Sequence, residues 1–270
     1  MVVFPNSKIN LGLKILRKRG DGYHDLETVF YPLALKDVLE IQRDTALNFT
    51  AYGLPIPGDQ NGNLCLKAWQ LLKKDLPDLP FVHIHLNKNI PIGAGLGGGS
   101  SDGASTLLLL NKQFSLGLDT PRLLSYAAEL GSDCPFFILN TPSLAGGRGE
   151  KLEPATIDLS GYCFVLIDPK LHVSTAQAFS VCTPSTKSPS VRDIIQQPIE
   201  TWKDHLINDF EAPVFQLHPR LRDIKELLYA HGAVYAALSG SGSSLFGIFE
   251  KGKPPGLPLS SHFEKFELSC

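Results

Sequence analysis

The segment 91–105, Pro-Ile-Gly-Ala-Gly-Leu-Gly-Gly-Gly-Ser-Ser-Asp-Gly-Ala-Ser, constrains this chain more than any other stretch. Five of the 24 glycines fall in the seven positions 93–99, just ahead of Thr106 and four consecutive leucines. Without a Cβ, glycine lets consecutive backbone N–H groups turn toward one ligand, and a helix starting behind them adds its positive dipole end. The natural occupant of such a cradle is a polyanion. Glycines set against a helix cost backbone entropy, which argues against a loop with no ligand.

Spacing separates the nucleotide-binding templates. A Walker loop ends in Gly-Lys-Ser/Thr, whereas Gly98 and Gly99 are followed by Ser100. Gly93, Gly95 and Gly98 satisfy the Rossmann glycine spacing, and Asp119 stands near the distance of its acidic partner. Residues 118–124, Leu-Asp-Thr-Pro-Arg-Leu-Leu, nevertheless read as a capped helix start, so no second strand completes a βαβ unit. The Rossmann match is coincidental.

With 270 residues, 43% of them hydrophobic and 19% charged, the chain has the make-up of a soluble globular protein with one large core or two domains. Two are expected, 1–158 and 159–270. A net charge of −2 speaks against nucleic acid or an anionic membrane as the main partner. The N-terminus lacks the basic-then-apolar layout of a signal peptide, and no apolar run approaches membrane-spanning length, so a cytoplasmic location is expected. Cys65, Cys134, Cys163, Cys182 and Cys270 are scattered without metal-ligand spacing and read as free, mostly buried thiols. Cys134, in the polar turn 131–135, is the one position among them where a nucleophile would fit.

Period-2 alternation over 8–15 predicts a strand with Lys8 and Asn10 on one face. Extended runs at 28–35, 38–43 and 47–51 read as a meander, followed by a helix at 63–76 and a strand at 81–86. Helices are predicted at 101–111 and 120–130. The second half offers extended runs at 143–144 and 161–168, and helices at 175–181, 191–196, 210–216 and 220–231. A mobile loop is expected at 183–190, and a strand, glycine turn and strand close the pattern over 233–249. Mixed strands and unequal helices without regular alternation indicate an α+β class.

Three ordered motifs carry a resemblance: Pro5-x-Ser7-Lys8-Ile9-Asn10-Leu11, residues 91–101, and Leu238-Ser239-Gly240-Ser241-Gly242. Together they are similar to the motifs of the GHMP small-molecule kinases, over about residues 5–250. Asp21-Gly22-Tyr23-His24 and Gly131-Ser132-Asp133-Cys134-Pro135-Phe136-Phe137 resemble the members that phosphorylate a cytidyl diphosphate alcohol. The resemblance implies a two-lobed α+β fold with the active site in the cleft between lobes, an N-terminal ATP-binding lobe and a C-terminal substrate lobe. It also implies transfer of the ATP γ-phosphoryl to an alcohol, with ATP and Mg2+ as cofactors and a small molecule as substrate, in a monomer or homodimer.

In that frame Lys8 matches the catalytic lysine and Asp133 is the candidate base, since phosphoryl transfer needs charge stabilisation and an acceptor for the hydroxyl proton. By residue type alone Lys8 reads as a solvent-facing strand lysine and Asp133 as a helix cap or turn former; the motifs reverse that ordering. Pro91, Ile92, Gly93, Ala94, Gly95, Leu96, Gly97, Gly98, Gly99, Ser100 and Ser101 are expected to hold ATP, with Ser101 the family-like magnesium ligand. Tyr23 and Phe179 match aromatic positions around cytosine, and His24 resembles the residue that reads the pyrimidine edge. Asn10, Lys88, Thr175, Gly240 and Ser241 complete the expected substrate contacts. Two alternatives stay open: a family kinase for another alcohol, such as mevalonate or homoserine, and a non-catalytic nucleotide-binding paralogue. One departure stands out, because 251–258 is rich in proline and glycine where the family ends in an amphipathic helix.

Overall fold

The computed structural model describes residues 1–182, 184, 189–252, 256–257 and 263–268. In chain order the elements are β1 (Val2–Val3), β2 (Asn6–Lys18), β3 (His24–Lys36), β4 (Val38–Arg43), β5 (Asn48–Gly53), α1 (Leu64–Asp75), β6 (Val82–Lys88), α2 (Gly98–Gln113), α3 (Thr120–Leu130) and α4 (Cys134–Leu139). There follow β7 (Ser143–Gly146), β8 (Lys151–Pro154), β9 (Tyr162–Asp168), α5 (Thr175–Val181), α6 (Val191–Ile194), α7 (Trp202–His205), α8 (Glu211–Leu217), α9 (Pro219–Ala230), β10 (Tyr235–Leu238), β11 (Leu245–Glu250) and β12 (Glu264–Leu268). The mixture of sheets and helices is the α+β class expected.

Two compact units emerge, neither of them one contiguous stretch. The first comprises 1–7, 35–92 and 97–141. Its sheet runs β1-β4-β6-β5, antiparallel except for the parallel pair β5–β6, which α1 connects. The inward positions Leu39, Ile41, Val82, Ile84 and Leu86 are buried, as are Ala68 and Leu72 of α1 and Leu107 and Leu110 of α2. Asn63 caps α1 by accepting from the Cys65 N–H at 2.9 Å, and Asp119 caps α3 by accepting from the Arg122 N–H at 3.0 Å. Local sequence therefore sets these helix starts.

The second unit comprises 8–34, 93–96 and 142–270. It holds the sheet β2-β3-β7-β8 and the sheet β10-β11-β9-β12, whose pairs are antiparallel. Val165 and Ile167 of β9, Leu245 of β11, Phe210, and Leu221 and Leu228 of α9 share one buried cluster. The buried apolar run at 161–168 is thus the centre of a new layer, as its pattern implied.

Several expectations need correction. The three runs at 28–35, 38–43 and 47–51 do not form a meander: β3 joins β2 and β7, while β6 separates β4 from β5 in the other sheet. The crossover through α1 decides that pairing, and it lies outside any local pattern. The second glycine-loop element, α2, starts at Gly98 and runs to Gln113, because Gly98 and Gly99 take helical geometry. The polar turn at 131–135 gives way at Cys134 to α4, where Pro135 suits the first turn of a helix. The helix expected at 191–196 ends at Ile194, and β1, β8, α7 and β12 had no counterpart in the sequence reading. The mobile loop expected at 183–190 falls largely outside the described residues. No helix among the described residues is long and apolar enough to cross a membrane.

Candidate active site

Between β6 and α2 the glycine loop uses positive φ three times: Gly93 at +67°, Gly95 at +80° and Gly97, the N-cap of α2, at +69°. Gly95 has a second reason to be glycine, since a Cβ there would run into the Ser239 carbonyl. A Cβ on Gly98 would lie 3.0 Å from Lys88 Nζ, whereas one on Gly99 would meet nothing within 4 Å. Four consecutive loop carbonyls accept protein donors. The Ser244 N–H donates to Ala94 O at 3.1 Å, Ser239 Oγ to Gly95 O at 2.9 Å, the Lys8 N–H to Leu96 O at 2.9 Å and the Ser101 N–H to Gly97 O at 2.9 Å. In a trans peptide the N–H points opposite to the C=O, so the N–H groups of 95–98 turn away from those donors. Behind them stand the unsatisfied N–H groups and positive dipole end of α2.

Ser101 lies in the first turn of α2, buried, and its Oγ has no hydrogen-bond partner. That orphaned hydroxyl suits a cation ligand. No cluster of three His, Cys, Asp or Glu side chains able to hold a metal occurs among the described residues.

In the second unit, alternation along β2 places Lys8 and Asn10 on one face, as predicted. Lys8 is 3% exposed, which removes the solvent-facing reading, and its Nζ donates to Asn10 Oδ1 at 2.6 Å. Asn10 Nδ2 donates to Thr28 Oγ1 at 3.0 Å, and Thr28 Oγ1 donates in turn to the Gly12 carbonyl. Lys8 Nζ also stands 4.8 Å from the centre of the Phe30 ring. Asp133, in the first unit, occupies the N-cap position of α4 but makes no capping hydrogen bond with its side chain. The helix-cap reading of its carboxylate therefore fails.

His24 and Phe179 stack with centroids 4.7 Å apart and planes 14° from parallel, and Phe179 meets Phe210 edge-on at 4.8 Å. Tyr23 is 55% exposed, with the Arg148 guanidinium 4.7 Å over its ring. Its N–H donates to Asp21, whose carboxyl is held below the usual range by hydrogen bonds from Arg19 and from that N–H. Thr175 and Ser241 hydroxyls lie 2.9 Å apart, and a Cβ on Gly240 would sit 3.4 Å from Asn10 Oδ1. The structure thus gathers Lys8, Asn10 and Gly240 in one neighbourhood, and His24 with Phe179 in another.

Lys88 is placed differently. Its Nζ, 3% exposed, is shared by Asp37 Oδ2 and Asp102 Oδ2, the latter at 2.9 Å. Burial works against its charge, but the pull of Asp102 and Asp37 outweighs it and holds the pKa above the ordinary lysine value. Burial pushes Asp102 up to about 7 against the pull of Lys88, with Asp37 adding repulsion. Asp37 Oδ1 accepts from the N–H groups of Asn89 at 2.6 Å and Ile90 at 2.9 Å. One ammonium therefore ties the strand end before the glycine loop to the N-terminal part of the helix after it.

Sequence reasoning missed Asp37, Asp102, Asn208 and Arg148, and a cavity of about 270 Å³ against β5 lined by Tyr52, Leu54, Pro55, Pro57, Gln60 and Asn63. The Pro55-Ile56-Pro57-Gly58 run was the available signal for the cavity, since it stiffens a loop without filling a core.

Residues 63–141 match the model for the GHMP kinases N terminal domain, and residues 190–256 the one for the GHMP kinases C terminal. A 4-diphosphocytidyl-2-C-methyl-D-erythritol kinase of Azobacteroides pseudotrichonymphae is 49% identical over 252 residues, covering 93% of this chain and 94% of the relative. The kinase of the same name from Bacteroides thetaiotaomicron is 50% identical over 254 residues, 93% and 92% of the two chains. A crystal structure of a 4-(cytidine 5'-diphospho)-2C-methyl-D-erythritol kinase superposes with a TM-score of 0.79 at 34% identity, over 92% and 90% of the chains. On that identity, sustained over nearly the whole length of both chains, this chain belongs to the GHMP kinases, in the 4-diphosphocytidyl-2-C-methyl-D-erythritol kinase family.

Proposed function

We propose that this chain transfers the γ-phosphoryl of ATP to the 2-hydroxyl of 4-diphosphocytidyl-2-C-methyl-D-erythritol, a step of the non-mevalonate route to isoprenoid precursors. The observation that carries the reading is the glycine loop with four successive carbonyls engaged by protein donors, which leaves the opposite N–H edge for phosphate oxygens. The substrate follows from the relatives, of which the two described above are at about half identity across the chain.

The roles follow from chemistry. Asp133 accepts the hydroxyl proton as the acceptor oxygen bonds to the γ-phosphorus and the bond from that phosphorus to the β,γ-bridging oxygen breaks, releasing ADP. Lys8, oriented by Asn10, stabilises negative charge on the transferring group. Residues 91–101 hold the phosphates. Ser101 Oγ is the ligand this chain would offer Mg2+, which when bound would supply charge neutralisation for the transfer. Tyr23, His24 and Phe179 take the cytosine, with Thr175 and Ser241 as hydroxyl donors nearby. Lys88, with its charge taken up by two carboxylates, serves by holding the loop. The division into an ATP-binding part, 1–158, and a substrate part, 159–270, belongs to this reading.

The test is ADP release with MgATP and the cytidyl substrate, run beside mevalonate, homoserine and no acceptor. Turnover with the cytidyl substrate alone supports the proposal. Turnover with another alcohol keeps the kinase chemistry and discards the cytosine site, and silence with all of them despite ATP binding favours a non-catalytic paralogue. Asp133→Asn is expected to lower kcat by about 10² to 10⁴ while leaving the KM for ATP nearly intact. An unchanged kcat removes Asp133 from the mechanism.

A further inference from the structure

Asn208 precedes α8 in a segment that carries no motif, yet it is fully buried and its carboxamide is satisfied on both sides. Nδ2 donates to the Leu238 and Gly240 carbonyls, both at 2.8 Å, and Oδ1 accepts the Phe210 N–H at 3.0 Å. Its backbone neighbours lock it to β2: the Leu13 N–H donates to Ile207 O at 3.0 Å, and the Asp209 N–H to Leu13 O at 2.8 Å.

Each partner leads to a different part of the site. On the donor side, Leu238 and Gly240 open the turn from which Ser239 Oγ holds Gly95 O at 2.9 Å and the Ser244 N–H holds Ala94 O at 3.1 Å. The same turn brings Gly240 against Asn10. On the acceptor side, Phe210 meets Phe179 edge-on, and Phe179 stacks on His24. One amide therefore joins the arm of the glycine loop at 93–96 to the aromatic cluster, over sequence separations of 30 and 32 residues to the two carbonyls.

We propose that Asn208 is a positioning residue that holds the loop arm and the Phe179–His24 cluster in register, so that nucleotide and cytidyl group are aligned for one reaction. The inference rests on the function proposed above. A buried amide bonded at all these points rigidifies what it touches, and removing it leaves two buried carbonyls and one N–H without partners. An asparagine that only stabilised its own turn would need no contact with both segments.

Asn208→Ala separates the two roles, with Leu228→Ala, a core truncation in α9, as the stability-matched control. Asn208→Ala is expected to raise the KM for ATP and for the cytidyl substrate together, each roughly tenfold, while Leu228→Ala shifts neither by more than about twofold at equal loss of Tm. Amide hydrogen exchange reads the same coupling without turnover, so a failure of the functional reading is distinguishable from a failure of this one. Protection is expected to fall jointly at 93–96, at 239–244 and in α5. KM values that move no more than the control's, or protection lost only at 208–210, would overturn the proposal. If Asn208→Ala does not fold, Ser239→Ala and Phe210→Leu are combined in the native background. Their joint effect on exchange and on kcat/KM is expected to depart from the product of the single effects by about threefold or more, and independence overturns the proposal.

Discussion

Two buried hubs hold the two parts of the glycine loop, and they do so by opposite chemistry. In the first unit, Lys88 with Asp37 and Asp102 clamps the flanks of the loop through charge. In the second unit, Asn208 holds the arm at 93–96 through the 239–242 turn with a neutral amide. Both are inaccessible to water, but they fail differently. A charged hub that loses a member keeps an uncompensated ion in low dielectric, whereas a neutral one leaves unsatisfied dipoles, a smaller cost. Two carboxylates on one ammonium also make the first hub depend on pH, and the second has no titratable group.

The largest effect is expected at the charged hub. Lys88→Met leaves Asp37 and Asp102 facing each other without their cation, and urea unfolding should read a loss of about 3–5 kcal/mol. A loss below that of Asn208→Ala would break the comparison. Next come the glycines of the loop itself. Gly95→Ala sets a Cβ against Ser239 O at a positive φ, so a loss of about 1–3 kcal/mol is expected. Gly99→Ala meets open space within α2 and should stabilise the apoprotein by about 0.5–1 kcal/mol, yet raise the KM for ATP because the ligand needs that space. An unaltered KM would show that phosphate does not approach Gly99.

The smallest effect is the pH dependence of the charged hub. Burial raises the folded pKa of Asp102 to about 7. The stability it contributes is therefore complete below its unfolded value, about 3.9, and is lost as pH rises through 7. Asp102→Asn removes that dependence, so its Tm should gain steadily on the native protein as pH rises from about 4 to 8. A constant Tm difference across that range would mean that Lys88 keeps Asp102 ionised throughout.

Much of the site was legible before the fold. Lys8 and Asn10 share a face because strand side chains alternate, and the starts of α1 and α3 follow from Asn63 and Asp119 as caps. The glycine loop was legible because Gly93, Gly95 and Gly97 take positive φ and Gly95 has no room for a Cβ, both of which single out glycine. These are local properties, set by a few neighbouring dihedrals and hydrogen bonds.

The pairing of β5 with β6, the burial of Lys88 between Asp37 and Asp102, and the reach of Asn208 belong to another order. An aspartate at a strand end or an asparagine ahead of a helix looks like any turn residue until a partner 51 or 30 positions away is brought within hydrogen-bond distance. By itself, then, the sequence determined the family, the place of the glycine loop and the shared face of Lys8 and Asn10 on β2, because each is written in short-range periodicity and steric need. Only the tertiary structure decided which buried polar groups hold that loop in place, because solvent exclusion and partner choice are properties of the packed chain.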